Sequence, residues 1–483
     1  MEVPNGVGEM PQAEMQAILD RQKAAFLQGD GTSIKQRLDR LERTIALLQS
    51  NEQQFTRALS EDFGHRSAHE TLVADMAVAI SPLRHAQKHL ARWQRKRRKP
   101  VTPGLLALFG ARAWVEYQPL GVVGVISPWN FPIFLSFAPL AGIFSAGNRC
   151  MIKPSEYTPA TSEAIGEAVR QAFDPDELAV VTGGPATGAH FSGLAFDHLL
   201  FTGATSVGKH VMRAAADNLV PVTLELGGKS PVIIGRSADL DGAADAVMAG
   251  KMVNAGQVCL APDYVFVPEE KLKTFVQSSQ RAIGKMFPSL LNNPDYSSVI
   301  NERHFDRLTG YVDEARAAGA EVVEINPQNE DFRQQPHRKM PPTLIINPPE
   351  ETAVMQEEIF GPLMVIKGYR ETEETIDYVN DHDRPLGLYY FGHDRAEQER
   401  VLRRTTSGGV TLNDVVMHIT QDNLPFGGVG PSGMGHYHGE DGFRTFSHAK
   451  AVYRQAGFNI LERIGMRPPY GKKLEKLVRG QMK

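Results

Sequence analysis

From residue 112 onward, apolar runs of strand length alternate with amphipathic runs of helix length. No other feature restricts the fold as much. Strand-like runs fall at 121–127 (GVVGVIS), 148–154, 178–183, 198–203 and 221–226. Between them lie helical patterns such as TPATSEAIGEAVRQAF and SVGKHVMRAAADN. Spacers of this length are too long for hairpins, so the strands are expected to pair in parallel, with helices crossing over the sheet faces. The pattern restarts after residue 230 with SPVIIG, the helical LDGAADAVMAGKMVNAG and the strand DYVFVP. EVVEI, PTLIIN, LMVIKGY, the helical TEETIDYVNDHD and LGLYYFG follow. Two α/β units are therefore expected, with a boundary near Gly227-Gly228. Residues 12–60 carry apolar positions at helical spacing, with Gly64 as a stop, and 70–100 continue in the same manner.

The 483 residues exceed what one ordinary core holds, which predicts two or three domains. A net charge of −4 gives no global attraction to nucleic acid or acidic membranes. Two cysteines, Cys150 and Cys259, make neither a disulfide framework nor a four-cysteine zinc site, which fits a reducing cytoplasm. The N-terminal MEVPNGVGEMPQAEMQ lacks the basic-then-apolar pattern of a secretory leader. No charge occurs between Glu116 and Arg149, but Pro128, Asn130, Pro132 and Pro139 cut the run into pieces shorter than a membrane span. A buried strand, a turn and a buried helix are expected instead. The basic cluster Arg95–Lys99 reads as a solvated helix end rather than a nucleic-acid or membrane patch.

Four short stretches carry possible chemistry. NAGQVC places Cys259 after a turn-forming Gly256-Gln257, where a thiol can act as nucleophile and its own N–H as an oxyanion donor. A structural cysteine fits that loop equally well. In TLELGGKSP, Glu225 ends an apolar strand beside two glycines, the place of a general base or of a surface carboxylate at a domain crossing. FTGATSVGK runs from strand to turn to helix, so its first-turn N–H groups suit a phosphate, or simply make a connection. In SPWNFP, Asn130 between two prolines is either an oxyanion donor or a turn former. The pair of histidines in GHYHGED (435–441) lacks further obvious ligands and reads as a loop or channel wall rather than a metal site.

SPWNFP, KPSE, FTGATSVGK, LELGGKSP, GQVC, EEIFGP and LPFGGVGPSGMG follow one another in this order across nearly the whole chain. The ordered set resembles the aldehyde dehydrogenase superfamily. GQVCLAPDYV and SGMGHYHGEDGFRTFSH are similar to its dimeric class-3 branch, and within it to bacterial coniferyl aldehyde dehydrogenases. The resemblance implies an aldehyde dehydrogenase-like α/β fold with two Rossmann-like parallel-sheet domains and a small β oligomerisation element. Its expected divisions are 1–103 with 120–226 for the dinucleotide, 227–415 for catalysis, and 104–119 with 416–483 for oligomerisation and the tail.

The same resemblance implies Cys259 as nucleophile, Glu225 as general base and Asn130 as oxyanion donor. It implies NAD as cofactor, with NADP possible. Lys153 and Glu156 would hold the adenosine ribose. Gly203, Ala204, Thr205, Ser206, Val207 and Gly208 would meet the pyrophosphate. Glu358 would bind the nicotinamide ribose beside Phe360, and Ile126, Pro128, Trp129 and Leu226 would line the cleft. Position 204 is Ala where many relatives carry Ser or Asn. No metal, nucleic acid or membrane partner is implied. The expected substrate is an aldehyde, aromatic like coniferyl aldehyde or a medium- to long-chain aliphatic, and the expected assembly a homodimer. A coenzyme A-acylating enzyme and a catalytically silent structural relative are the alternatives; the retained Glu225 speaks against the first, and the full set of Cys259, Glu225 and Asn130 against the second.

Overall fold

The computed structural model describes residues 8–28, 31–102, 104–457, 459, 462 and 465–482. Residues 1–7, part of the stretch read for a leader, and Pro103, the end of the first expected segment, lie outside the described residues.

Two parallel sheets form the body. From edge to edge, the first contains Gly433–Met434, Val222–Leu226, His198–Gly203, Val122–Ile126, Arg149–Lys153 and Leu178–Val180. Only the two-residue edge strand Gly433–Met434 runs antiparallel. The second contains Glu321–Glu324, Thr343–Ile346, Leu363–Tyr369, Pro262–Pro268, Ser230–Ile234, Gly387–Phe391 and Gly409–Leu412, with only Glu321–Glu324 antiparallel. Helices cover both faces of these strands, so Ser230–Ile234, Pro262–Pro268 and Gly387–Phe391 are buried throughout. That burial is why they read as continuous apolar runs rather than alternating ones. A third, antiparallel sheet joins Arg97–Lys99, Arg112–Pro119 and Ser447–Arg454.

The uncharged run becomes the strand Val122–Ile126 and two short helices, Pro132–Phe137 and Leu140–Ala146, every residue of which is buried. Gly147 closes the second at φ 97°, a left-handed conformation that suits a residue without Cβ. The helical stretch 12–60 divides into Gln12–Leu27, Ile34–Ser50 and Glu52–Phe63, and Gly64 ends the third at φ 76°. A following helix, Val78–Trp93, is preceded by a π-helical turn, Thr71–Ala77.

Two expectations are corrected. The basic cluster is not a helix end: the helix stops at Trp93, and Arg97–Lys99 pairs as an edge strand with Ala113–Val115. Ion pairs place it there, Lys96 with Glu116 at 3.2 Å and Arg97 with Glu440. The helix read over 240–256 ends at Met252, because Asn254 and Ala255 turn left-handed at φ 49° and 50°.

The C-terminal part returns to the first sheet. Helix Gly439–Thr445 packs on Leu140–Ala146 so closely that a Cβ on Gly142 would lie 2.9 Å from the Gly442 carbonyl carbon and 3.0 Å from Phe446 Cδ2. Asn148 fastens the same contact, donating to Phe446 O at 2.7 Å. Gly142→Val should therefore cost about 1–3 kcal/mol of stability through overpacking. Urea denaturation measures this, and an unchanged midpoint would contradict the tight contact.

Candidate active site

In the first sheet the crossovers after Val122–Ile126 and His198–Gly203 lead to opposite sides. A crevice opens at the carboxyl ends of strands at such a switch point. Here it is a cleft of about 510 Å³, walled by the loop after Ile126, the turn after Gly203, Glu225 and Cys259.

The loop carrying Cys259 is shaped by consecutive left-handed residues, Asn254, Ala255 and Gly256 at φ 76°. A Cβ on Gly256 would lie 2.1 Å from Gly361 O, so no other residue fits. Gln257 braces the loop from inside. Its Nε2 donates to Asn254 O and Ser298 O, both at 2.9 Å, and its Oε1 accepts from Ile300 N–H at 2.9 Å. Asn130 Nδ2 donates to Gln257 O at 3.0 Å, tying the two loops together. Cys259 itself is half-buried on the cleft wall. Burial first, then the nearby Glu358 and Glu225 carboxylates, push its thiol up to about 12, opposed by the N–H groups of Cys259 and Leu260. Cys150 lies on Arg149–Lys153 within the core, buried completely.

Glu225 pairs in register with Thr202 on one side and Gly433 on the other. Neither of its carboxylate oxygens has a partner among the described residues, and burial holds its carboxyl well above the usual range. Glu358 is raised to about 8, by burial and then by Asp263, against Gly228 N–H, Lys229 and Arg307. A buried carboxyl without partners rests protonated, because ionising it in an apolar wall is costly.

Cys259, Glu225 and Asn130 converge on this one cleft. So do Pro128, Trp129, Gly203, Ala204, Thr205, Ser206, Leu226, Glu358 and Phe360. Ile126, Lys153, Glu156, Val207 and Gly208 do not form its wall. Ile126 pairs with Lys153 and Phe201 just inside the sheet. Lys153 and Glu156 form an ion pair at 3.3 Å at the end of the neighbouring strand. Val207 points outward at 48% exposure, and Gly208 gives room to Leu226, 2.7 Å from where its Cβ would stand.

Helix Thr205–Ala216 starts at this cleft with no side-chain cap, leaving first-turn N–H groups for an anion. These donors, the unpartnered Glu358 Oε1 and the apolar faces of Trp129, Leu226 and Phe360 fit a dinucleotide. Sequence reading missed His304 and Arg307, which also line the cleft. His304 packs against Trp129, ring centroids 5.3 Å apart. Arg307 donates to Glu358 O at 3.2 Å and Ile359 O at 2.8 Å, and so fixes the turn that ends in Phe360 at φ 49°. Asn301 caps their helix, and the spacing of His304, Arg307 and Tyr311 on one face was the available signal.

Residues 2–452 match the aldehyde dehydrogenase family. The chain is 58% identical to a protein of Caulobacter vibrioides named probable coniferyl aldehyde dehydrogenase, covering 98% of this chain and 97% of that one. It is 53% identical to a Pseudomonas coniferyl aldehyde dehydrogenase, covering 96% and 95%. The structure of a Mycobacterium tuberculosis aldehyde dehydrogenase complexed with NAD+ superposes with a TM-score of 0.83 at 25% identity, covering 94% of this chain and 92% of that one. With its doubly wound sheets and the cleft at their switch point, the chain belongs to the aldehyde dehydrogenase family and is an enzyme that oxidises aldehydes with a nicotinamide cofactor.

Proposed function

We propose that this enzyme oxidises coniferyl aldehyde, or an aromatic aldehyde close to it, to the carboxylic acid through a thioester on Cys259. The convergence of Cys259, Glu225 and Asn130 on one cleft carries the reading. The names of relatives at 58% and 53% identity support the substrate.

The Cys259 thiol loses its proton to solvent water, and the thiolate adds to the aldehyde carbon. The carbonyl oxygen takes up the electron pair, held by the Asn130 amide and the Cys259 N–H. A bound nicotinamide dinucleotide supplies the hydride acceptor that turns this adduct into a thioester. Glu225 then removes a proton from water as the water attacks the thioester carbon. The carbon–sulfur bond breaks, the acid leaves, and the proton taken by Glu225 returns the thiol to its resting state. The buried carboxyl of Glu225 must ionise before it can accept that proton, so deacylation rises with pH. A carboxylate acting on water also sets this route apart from acyl transfer to coenzyme A.

The cofactor is NAD in this reading. The uncapped turn from Gly203 to Gly208 meets the pyrophosphate, and Glu358 the nicotinamide ribose. Glu156, paired with Lys153, accepts ribose hydroxyls and repels a 2′-phosphate. The exposed edge strand Ser447–Arg454 suits a homodimer, since an open edge needs a partner or protection. No described helix is long and apolar enough to cross a membrane, and the two free cysteines suit the cytoplasm.

Four outcomes are expected. In rapid-mixing experiments with aldehyde and NAD, Cys259→Ala gives no burst of NADH. Glu225→Gln keeps the burst but turns over about a hundredfold more slowly and loses the rise of turnover with pH; full steady-state activity would falsify its role as base. Among coniferyl aldehyde, benzaldehyde and medium-chain aliphatic aldehydes, kcat/KM is highest for coniferyl aldehyde, and a clear aliphatic preference would overturn the substrate assignment. Glu156→Gln shifts the ratio of NADP to NAD kcat/KM upward by about tenfold; an unchanged ratio would show that Glu156 does not discriminate.

A further inference from the structure

Asn130 is fixed from three directions. Its amide donates to Gln257 O at 3.0 Å, and its carbonyl accepts from Asn254 Nδ2 at 3.0 Å and Arg66 Nη1 at 2.7 Å. The other terminal nitrogen of Arg66 lies 2.7 Å from Asp75 Oδ2, both side chains being wholly buried. Asp75 Oδ1 in turn accepts from Phe134 N–H at 3.0 Å. One ion pair therefore grips the loop at Asn130 and the start of the helix that follows it, at Phe134. The guanidinium carbon also lies over two rings, 4.8 Å from the centroid of Phe63 and 5.0 Å from that of Phe131. Asp75 projects from the π-helical turn Thr71–Ala77, a widened turn of a kind that recurs where a helix serves a functional site.

We propose that Arg66, held by Asp75, is a positioning residue for aldehyde oxidation: it fixes the backbone of Asn130 and thereby aims the Asn130 amide at the oxygen of the reacting aldehyde. This rests on Asn130 being the oxyanion donor. A buried ion pair is a poor device for stability alone, since desolvating two charges offsets most of their attraction. Its value lies in geometry. Arg presents two donors in one rigid plane, so Asp75 and Asn130 O are addressed together. The Asn130 carbonyl already has one partner in Asn254, and the charged second bond removes its remaining freedom to tilt. A misplacement of about 1 Å in such a group costs up to about a hundredfold in rate.

The test is a double-mutant cycle on the rate of the first NADH turnover. Arg66→Lys keeps the charge facing Asp75 but not the planar bridge. It should slow the burst about tenfold or more, while NAD affinity, read by fluorescence quenching, stays at its wild-type value. In an Asn130→Ala background, Arg66→Lys should slow the burst no further. The near-isosteric Asp75→Asn should behave in the same way, and serves if Arg66→Lys folds poorly. Additive losses in the cycle would overturn the positioning role while leaving Asn130 in place, and so would wild-type bursts from Arg66→Lys and Asp75→Asn. A wild-type burst from Asn130→Ala alone would remove the oxyanion reading, and this one with it.

Discussion

Where Val122–Ile126 lies beside His198–Gly203, the connections that follow run to opposite sides of the sheet. Neither connection then covers the carboxyl ends of these two strands, and a crevice forms there. Each part of the site is placed by that gap. The SPWN loop leaves one strand, the uncapped start of helix Thr205–Ala216 follows the other, and Glu225 stands one strand further on, in register with Thr202. The second sheet contributes Cys259 on the loop just before Pro262–Pro268.

The electrostatics follow from the same enclosure. Glu225, Glu358 and the Cys259 thiol share walls made of ring faces and aliphatic side chains, and burial holds all three toward their protonated forms. Glu225 and Glu358 also oppose ionisation of the thiol, so the first charge to appear discourages the next. At rest these three groups are therefore held toward their uncharged forms. The counterweight is built from backbone: the Cys259 and Leu260 N–H groups favour the thiolate at the point where it is needed. Such fixed dipoles need no reorganisation during reaction, which makes them effective in a dry site.

Much of this was legible in the chain. The parallel strands appear as unbroken apolar runs because both their faces are buried, and the uncharged run became two wholly buried helices because it had no side chain that needed water. The ordered motifs named Cys259, Glu225 and Asn130, and all three meet in the cleft. What escaped reading depends on distant partners. Residues 253–255 follow a good helix former and read as its continuation; the left-handed turn arises from the Gly361 backbone against Gly256 and from Gln257 reaching Ser298 and Ile300. The basic cluster looked like a helix end because Glu116 and Glu440, its partners, are remote in sequence. Arg66, in the connection after Phe63, and Asp75, in a helical stretch, sat unnoticed, since their importance comes from reaching Asn130 and Phe134.

Local periodicity and turn chemistry thus determined, from the sequence alone, most of the strands and helices of the two main sheets, that those sheets are mostly parallel, and which residue types could carry the chemistry. Local rules suffice there because hydrophobic spacing and backbone preference act over a few neighbouring residues. Only the tertiary structure decided that the thiol and both carboxyls share one cleft, that His304 and Arg307 join it, and that Arg66 and Asp75 hold Asn130 from behind. Burial, proton affinity and the aim of a side chain are properties of the assembled surroundings, and those surroundings come from segments that only folding brings together.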